Sequence, residues 1–196
     1  MELSSQEDGL VVLSVTSDKG DSSPKLGLSF PSADVLRFQF SPQGDTSFEA
    51  GAADFSVEED NDSIIISTSA LEVTVTKSPY GMEVRDLDTG KLLTQNGGTG
   101  DELSWLTDGA GLVENFRASY ESPSSEKFYG FGERYNGIEK RGETVDIYVY
   151  NQYMNQGERS YLAVPFFYSS KGYGLYLDST YYSQFDMADS DPDQYT

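Results

Sequence analysis

Short apolar stretches that alternate with a period of two, and are separated by turn signals, most constrain the fold of this 196-residue chain. In the run DVLRFQF, the side chains of Leu36, Phe38 and Phe40 share one face of a predicted strand, and Arg37 lies on the other. Turn signals recur roughly every 8–12 residues, which is the spacing of an antiparallel sandwich. No segment has the apolar spacing of a long amphipathic helix. The pattern predicts an all-β fold, an antiparallel β-sandwich.

Further local patterns predict where strands and loops lie. Strands are expected at Leu10–Thr16, as a pair within Ser63–Thr76, and at Met82–Val84, Gly111–Ser119, Thr144–Tyr150 and Thr180–Met187. In the second strand of the pair, Leu71, Val73 and Val75 are predicted to share one face. The Gly-, Thr- and Asp-rich segment Gln95–Leu112 is predicted as a loop that contains the single tryptophan, Trp105. The acidic segment Ala188–Thr196 is expected to end the chain without a closing element. Residues 1–196 are therefore expected to form one domain, and that domain is expected to be a fragment of a longer protein.

Composition excludes several kinds of chemistry. The chain has no histidine and no cysteine, so a Ser-His-Asp triad, a His-ligated zinc site, thiol catalysis and disulfides cannot occur within it. Its formal net charge of −20 argues against nucleic acid or an anionic membrane as a partner, because both would repel this surface. We expect no cofactor. The compartment stays open, since cytosolic proteins and secreted proteins without disulfides share this composition.

The stretch Lys127–Asp178 concentrates the tyrosines. Of the 14 tyrosines in the chain, 11 lie between Tyr129 and Tyr182. A tyrosine ring can stack on a sugar while its hydroxyl hydrogen-bonds, so such a stretch suits a site for polyhydroxylated ligands. Half-buried strands of a sandwich with no ligand would give the same pattern, and on the pattern alone this second interpretation is preferred.

Two other patterns are weaker candidates for sites. The run Gly130-Phe131-Gly132-Glu133-Arg134 lacks the third glycine and the following helix of a phosphate loop, so the glycines predict a kink or bulge where another backbone comes close. Acidic clusters at 58–62, 86–88, 101–102 and 189–193 do not match a calcium loop and are predicted to be solvated turns.

Paired carboxylates are the only intrinsic catalytic option that the composition leaves. A glycosidase needs two carboxyl groups that flank the scissile bond. The available residues in the tyrosine-rich stretch and its flank are Glu133, Glu139, Glu143, Asp146 and Asp178. Their spacing does not single out a pair.

Two ordered motifs resemble glycoside hydrolase family 31, the α-glucosidase and α-xylosidase family. FYGFGER at 128–134 is similar to an aromatic-Tyr-Gly-x-Gly-Glu-Arg signature of the family's N-terminal β-sandwich, which has a galactose-mutarotase-like fold. VPFFYSSKGYGLYLDS at 164–179 is similar to its Pro-Phe strand followed by a Gly-Tyr-Gly strand. The segments 36–38 and 63–93 resemble the family more loosely.

The resemblance implies that this chain is a non-catalytic module. In the family, a (β/α)8 barrel carries the nucleophile and the general acid/base of a retaining mechanism, and its motif Trp-x-Asp-Met-x-Glu does not occur here. The expected partners are that missing barrel and, through the parent enzyme, an α-glucoside or a related oligosaccharide. The family sandwich lends a loop, often with an Asp that binds substrate, to the pocket rim. The matching position here is Asn151, followed by Gln152, and both are predicted to bind substrate.

Alternatives of two kinds stay open at this point. Within enzymes, the parent could be an α-xylosidase, an α-glucosyltransferase or a lyase, because the residues that distinguish these activities lie in the barrel. From other classes, the chain could be a free-standing carbohydrate-binding module with Tyr148, Tyr150 and Tyr153 as a platform, or a scaffold without a ligand.

Overall fold

The structure is a computed structural model that describes residues 1–16, 23–97 and 102–196. All its regular elements in these ranges are strands. In chain order they are β1 (Glu2–Glu7), β2 (Leu10–Ser14), β3 (Lys25–Ser32), β4 (Val35–Ser41), β5 (Ser56–Glu59), β6 (Ser63–Ser67), β7 (Leu71–Thr76), β8 (Gly81–Asp86), β9 (Leu92–Gln95), β10 (Leu103–Thr107), β11 (Val113–Ala118), β12 (Tyr120–Glu121), β13 (Phe128–Gly132), β14 (Glu143–Ile147), β15 (Ala163–Ser169), β16 (Gly174–Tyr176), β17 (Ser183–Met187) and β18 (Gln194–Tyr195). Neighbouring strands pair antiparallel throughout, which confirms the predicted fold class.

The chain divides into two compact units, Met1–Ala118 and Ser119–Thr196. The first unit contains the sheets β1-β2-β3-β4 and β5-β6-β7-β8-β9 and the hairpin β10-β11. Its core is mainly aliphatic. In β7, for example, side chains alternate between the two faces, and Leu71, Val73 and Val75 are buried as predicted. The central strand β3 is buried on both faces, and the ring of Phe48 covers Gly27, where a Cβ atom would clash with it.

The second unit packs the sheet β12-β18-β17-β14 and the sheet β13-β15-β16 around an aromatic core. Phe131 of β13 lies 5.1 Å from Phe185 of β17, between ring centroids, and Phe128 lies 5.3 Å from Tyr195 of β18. These contacts join the inner faces of the two sheets. The sandwich therefore places the polypeptide between β14 and β15, which is residues 148–162, at one end of its strands.

The structure corrects the interpretation of Trp105 as a loop residue. Trp105 lies in β10, where it pairs with Phe116 of β11 and packs 5.3 Å from the ring of Phe40. Its side chain is buried. The loop was predicted from the Gly- and Asp-rich composition around Trp105. Residues 98–101 of that predicted loop lie outside the described residues.

The C-terminal segment also differs from the prediction. Gln194 and Tyr195 form β18, which pairs with both β12 and β17. Tyr195 is buried in the aromatic core, where its hydroxyl accepts a hydrogen bond from Tyr173 at 3.0 Å. The segment thus has a closing strand, whereas its acidic composition indicated a loose end.

Within the described ranges, no helix has the length and apolar character needed to cross a membrane.

Candidate functional site

The segment 148–162 connects β14 to β15 and contains both sequence-predicted site residues. We call it the tyrosine loop. The strand before it ends at Ile147 rather than at the predicted Tyr150, and Val149 instead forms an isolated parallel bridge with Ser160. This bridge brings the two legs of the loop together, and the Tyr150 amide donates to the Ser160 carbonyl at 3.0 Å. Between the legs, the loop projects Tyr153 and Met154, which are 85% and 77% exposed.

Asn151 lies on the surface of the tyrosine loop. Its side chain is exposed, and its Oδ1 accepts a hydrogen bond from the Tyr161 hydroxyl at 3.2 Å. The side-chain amide group is not used in this contact, and it can donate to a sugar hydroxyl.

Gln152 organises the loop from inside. Its Nε2 donates to the carbonyls of Met154 and Asn155 at 2.8 and 2.7 Å, and its Oε1 accepts from Arg159 at 2.6 Å. An amide NH₂ has two hydrogens, so both donors of Gln152 are occupied by the loop itself. This arrangement suits Gln152 to holding the loop in shape more than to direct substrate contact.

The Gly-Phe-Gly run forms the predicted kink beneath the tyrosine loop. The ladder between β13 and β15 shifts register between Gly130 and Gly132. A Cβ atom on Gly132 would lie 2.0 Å from the Leu162 carbonyl oxygen, and one on Gly130 would lie 2.5 Å from that of Phe166. Only glycine allows this close approach, so the prediction of a backbone contact at the kink is confirmed.

Arg134 follows the kink and donates to three backbone carbonyls. Its Nε binds the Phe131 oxygen at 3.1 Å, its Nη1 the Glu158 oxygen at 2.7 Å, and its Nη2 the Asp146 oxygen at 2.7 Å. Burial lowers the pKa of this guanidinium, while the neighbouring carboxylates of Asp146 and Glu143 oppose that shift. An arginine remains charged at any pH that the protein meets.

The carboxylate of Asp146 is a second centre of hydrogen bonds below the loop. Its Oδ1 accepts from the Tyr182 hydroxyl at 2.8 Å and from Gln184 at 3.0 Å, and its Oδ2 accepts from the Tyr150 hydroxyl at 3.3 Å. Burial alone would raise the pKa of Asp146, but these hydrogen bonds and the charge of Arg134 outweigh burial and hold it below its ordinary value. The charged carboxylate thereby ties the loop to β17.

An open cavity of about 450 Å³ lies beside these groups in the second unit. Its lining includes the rings of Tyr148, Tyr181 and Tyr182 together with Pro165 and Ser179. The volume falls within the range of small-molecule sites, and exposed rings beside hydroxyl groups are groups that a sugar can contact.

The three tyrosines of the suggested carbohydrate-binding platform do not lie in one plane. The rings of Tyr148 and Tyr150 meet edge to face at 64°, and Tyr153 packs instead toward Tyr161. The guanidinium of Arg159 also lies 5.2 Å above the centre of the Tyr150 ring. These three side chains therefore do not form one flat stacking surface.

Two of the candidate carboxylates, Glu139 and Glu143, accept hydrogen bonds from nearby groups of the second unit. Glu139 accepts from the backbone amides of Phe128 and Arg141, and Glu143 accepts from Asn136 and the buried Lys140.

The turn assignments of two acidic clusters are confirmed, because Asp60 and Asp86 accept hydrogen bonds from the turns that they begin. Asp101 of a third cluster lies outside the described residues. In the ranges that the structure covers, no three carboxylates converge as metal ligands would.

Comparison with known protein families gives a direct match over most of the chain. Residues 25–186 match the glycosyl hydrolase 31 N-terminal galactose mutarotase-like domain. The chain belongs to this family. The resemblance seen in the motifs at 128–134 and 164–179 is confirmed.

Relatives of this glycosyl hydrolase 31 domain act on saccharides. The chain is 39% identical over 188 residues to an isomaltosyltransferase of Sporosarcina globispora, and this match covers 95% of the chain and 17% of the relative. It is 28% identical over 174 residues to alpha-glucosidase 2 of Bacillus thermoamyloliquefaciens, covering 82% of the chain and 21% of the relative.

A solved structure shares the fold closely. It is the cycloalternan-forming enzyme from Listeria monocytogenes in complex with a pentasaccharide substrate, with a TM-score of 0.93 and 44% identity. The match covers 97% of this chain and 18% of that one. The chain thus spans about a fifth of the length of these relatives.

Sequence reasoning about the glycosyl hydrolase 31 domain missed the residues that hold the tyrosine loop. The sequence does not specify which groups Arg134 binds, and it does not indicate Tyr182 and Gln184 as partners of Asp146. The Glu-Arg pair that directly follows the kink was the available signal for Arg134. No sequence signal connects Asp146 to Tyr182, which lies 36 residues away.

Proposed function

We propose that this domain supports the catalytic barrel of a parent enzyme that transfers α-linked glucosyl or isomaltosyl units between oligosaccharides. In this proposal the domain contributes the tyrosine loop to the rim of the substrate pocket and no catalytic residue. The parent acts on an α-glucoside or a related gluco-oligosaccharide by a retaining mechanism, as the family resemblance implies.

Exposure of the tyrosine loop is the observation that carries the structural part of the proposal. Asn151 is exposed and accepts a hydrogen bond from Tyr161, and Gln152 and Arg159 bind each other within the same loop. A loop that is ordered by its own side chains loses little entropy when it binds a ligand. Such a loop suits a rim contact that must be in place before the substrate arrives.

Transfer is favoured over hydrolysis by the relatives. Two of the matches near 40% identity are an isomaltosyltransferase and an enzyme named for the cycloalternan that it forms, whereas the α-glucosidase match is 28% identical. The neutral Asn151, at a position where the family often has an aspartate, keeps hydrogen-bonding capacity without a charge.

The exposed aromatic side chains of the second unit support a covering partner. On the outer face of the sheet β13-β15-β16, Phe166 pairs with Tyr176 and Tyr129 stacks on Tyr168 at 5.3 Å. Phe166, Tyr168 and Tyr176 are each at least 40% exposed. Contiguous apolar surface of this kind is typical of an interaction site, and in the proposal the barrel covers it.

The test uses the full-length polypeptide with panose or maltotetraose as donor and separates transfer products from released glucose by chromatography. Elongated products at low donor conversion are expected. Release of free glucose without elongated products would contradict transfer and favour an α-glucosidase.

The loop's role is tested by Asn151→Ala in the same protein. Loss of one neutral hydrogen bond, worth about 0.5–1.5 kcal/mol, should lower kcat/KM by about three- to tenfold and leave the fold intact. Asn115→Ala in β11 removes an equally exposed asparagine from the first unit and serves as the control. Identical kinetics for both variants would remove Asn151 from the substrate site.

A further inference from the structure

Three consecutive residues at the kink have positive φ angles. Gly130 has φ of 139°, Phe131 of 68° and Gly132 of 81°. A bulky residue with φ in the left-handed region is uncommon and strained. Phe131 is held there because its ring is completely buried between Phe167 and Phe185, at 5.6 and 5.1 Å. The surrounding core thus imposes a backbone shape that the local sequence would not adopt alone.

The kink fixes the C-terminal leg of the tyrosine loop. Because Gly132 has no side chain, the backbone of Leu162 lies directly against it, and the Glu133 amide donates to the Leu162 carbonyl at 3.0 Å. The buried hydroxyl of Ser160 donates to the Glu133 carbonyl at 2.6 Å and accepts from the Leu162 amide at 2.9 Å. These contacts hold the point where the loop enters β15.

Arg134 fixes the rest of the loop from the same kink. One guanidinium reaches the carbonyl of Glu158 inside the loop, the carbonyl of Asp146 in the strand before it, and the carbonyl of Phe131 in the kink. The guanidinium is planar and rigid, so three simultaneous contacts fix the spacing between these segments. A lysine, with one flexible ammonium, could not span the same three oxygens.

We propose that the segment Gly130–Arg134 is a clamp for the tyrosine loop and that Arg134 is a positioning residue for substrate contacts made by Asn151. Arg134 acts through the loop backbone and does not itself touch substrate. The clamp explains why the Gly-x-Gly-Glu-Arg run, which is unsuited to phosphate, occurs at this point of the chain. Only the link to Asn151 rests on the proposed function; the clamp itself rests on the contacts of Arg134 and Ser160.

The experiment compares two arginines that have the same chemistry in different places. Arg134→Lys is the test variant of the full-length protein. Arg141→Lys is the matched control, because Arg141 also lies in the second unit and donates to the backbone carbonyls of Ser122 and Glu126, away from the loop. Hydrogen–deuterium exchange, read by mass spectrometry, reports on each segment separately.

Arg134→Lys should accelerate exchange of the Tyr150, Gln152 and Arg159 amides by at least about tenfold, since each is hydrogen-bonded within the loop. Amides of β15 and β17 should change by less than about twofold, and Arg141→Lys should leave the loop unchanged. Unchanged loop exchange in Arg134→Lys would overturn the clamp. Equal acceleration through the whole second unit would also overturn it, because Arg134 would then support the fold generally.

Ser160→Ala tests the clamp from its other side and covers the case in which Arg134→Lys does not fold. It removes the hydroxyl that joins Glu133 to Leu162 and leaves the arginine in place. Faster exchange confined to the loop is expected, and protection equal to that of the parent protein would count against the clamp.

Kinetics separate this inference from the proposed function. With the loop loosened, Arg134→Lys should lower kcat/KM for an oligosaccharide by about three- to tenfold. Combining it with Asn151→Ala should add little further loss, because both act through one contact. A loop that becomes mobile without any kinetic change would support the clamp and refute the role of the loop in substrate binding. An additive double variant would overturn Arg134 as a positioning residue for Asn151.

Discussion

The two compact units bury different kinds of side chain. In Met1–Ala118 the fully buried residues are mainly aliphatic, such as Leu28, Ile64 and Val73. In Ser119–Thr196 they are mainly aromatic, such as Phe128 and Phe167. The second unit also contains every tyrosine of the chain except Tyr80.

The surfaces of the two units also differ in how many aromatic side chains they expose. Among the described residues, the first unit exposes one large aromatic side chain, Phe116, whereas the second exposes nine: Tyr135, Tyr148, Tyr153, Tyr161, Phe166, Tyr168, Tyr176, Tyr181 and Tyr182. Folding alone gains nothing from leaving these rings in water. The difference teaches that the first unit is built for its own stability, while the second also carries a surface suited to a partner or a ligand.

The largest expected effect distinguishes the two cores. Phe167→Ala in β15 should lower the free energy of unfolding of the second unit by about 3–5 kcal/mol, because a ring that contacts five other aromatic side chains is replaced by a cavity. Ile66→Val in β6, which is equally buried, should cost the first unit about 0.5–1.5 kcal/mol. Amide exchange within each unit measures both. Equal losses would show that the aromatic core contributes no more than the aliphatic one at these positions.

A pair of glycine variants tests the kink that is specific to the second unit. Gly132 and Gly142 have nearly equal φ angles of 81° and 79°, but only Gly132 has a backbone oxygen at the position of a Cβ atom. Gly142→Ala should cost about 1–2 kcal/mol from the left-handed conformation alone. Gly132→Ala should cost about 1–3 kcal/mol more, because the backbone of Leu162 must move. Urea unfolding of the two variants measures the difference, and equal midpoints would exclude the clash.

The pH dependence of Asp146 tests the electrostatic contacts of the second unit. Its pKa is lowered in the folded protein, so its stabilisation is fully present above its ordinary value of 3.8 and is lost as the pH falls through the lower folded value. Asp146→Asn should cost about 1 kcal/mol or less near neutral pH after solvent screening. The cost should shrink as the pH falls below 3.8. Asp178→Asn, at an exposed position in the same unit, is the control. A cost that is independent of pH would show that the charge of Asp146 is not involved.

The smallest expected effect concerns self-association of the chain through exposed rings. The net charge of −20 opposes contact between copies at low salt, and salt screens that repulsion. Light scattering should therefore show weak association of residues 1–196 at high salt, and Tyr181→Ser should reduce it more than Phe116→Ser. Scattering that does not depend on salt would show that the exposed rings do not cause the chain to associate.

Much of the fold follows from local patterns. The alternation of Leu71, Val73 and Val75 predicted a strand with one buried face, and the structure confirms β7 with its flanking turns. The glycines at 130 and 132 predicted a close backbone approach, which occurs at Leu162 and Phe166. The sequence signals for these features are local, as are the family motifs, although the backbone that approaches the glycines belongs to a distant segment of the chain.

The failures of prediction concern segments whose structure depends on distant partners. Trp105 belongs to a strand because Phe116 pairs with it and Phe40 covers it, although its surroundings have a loop-like composition. Tyr195 belongs to a closing strand because its ring packs in the aromatic core and its hydroxyl accepts a hydrogen bond from Tyr173. Composition within a short window contains no information about such partners.

The sequence by itself determined the all-β class, the strand faces, the position of the kink and the family to which this domain belongs. Tertiary structure decided that Gln152 turns into the tyrosine loop while Asn151 remains at its surface, and that Arg134 joins three segments. The physical reason is the range of the interactions. Side-chain alternation and glycine torsion act between adjacent residues, whereas a side-chain hydrogen bond depends on which carbonyl the folded backbone brings within about 3 Å.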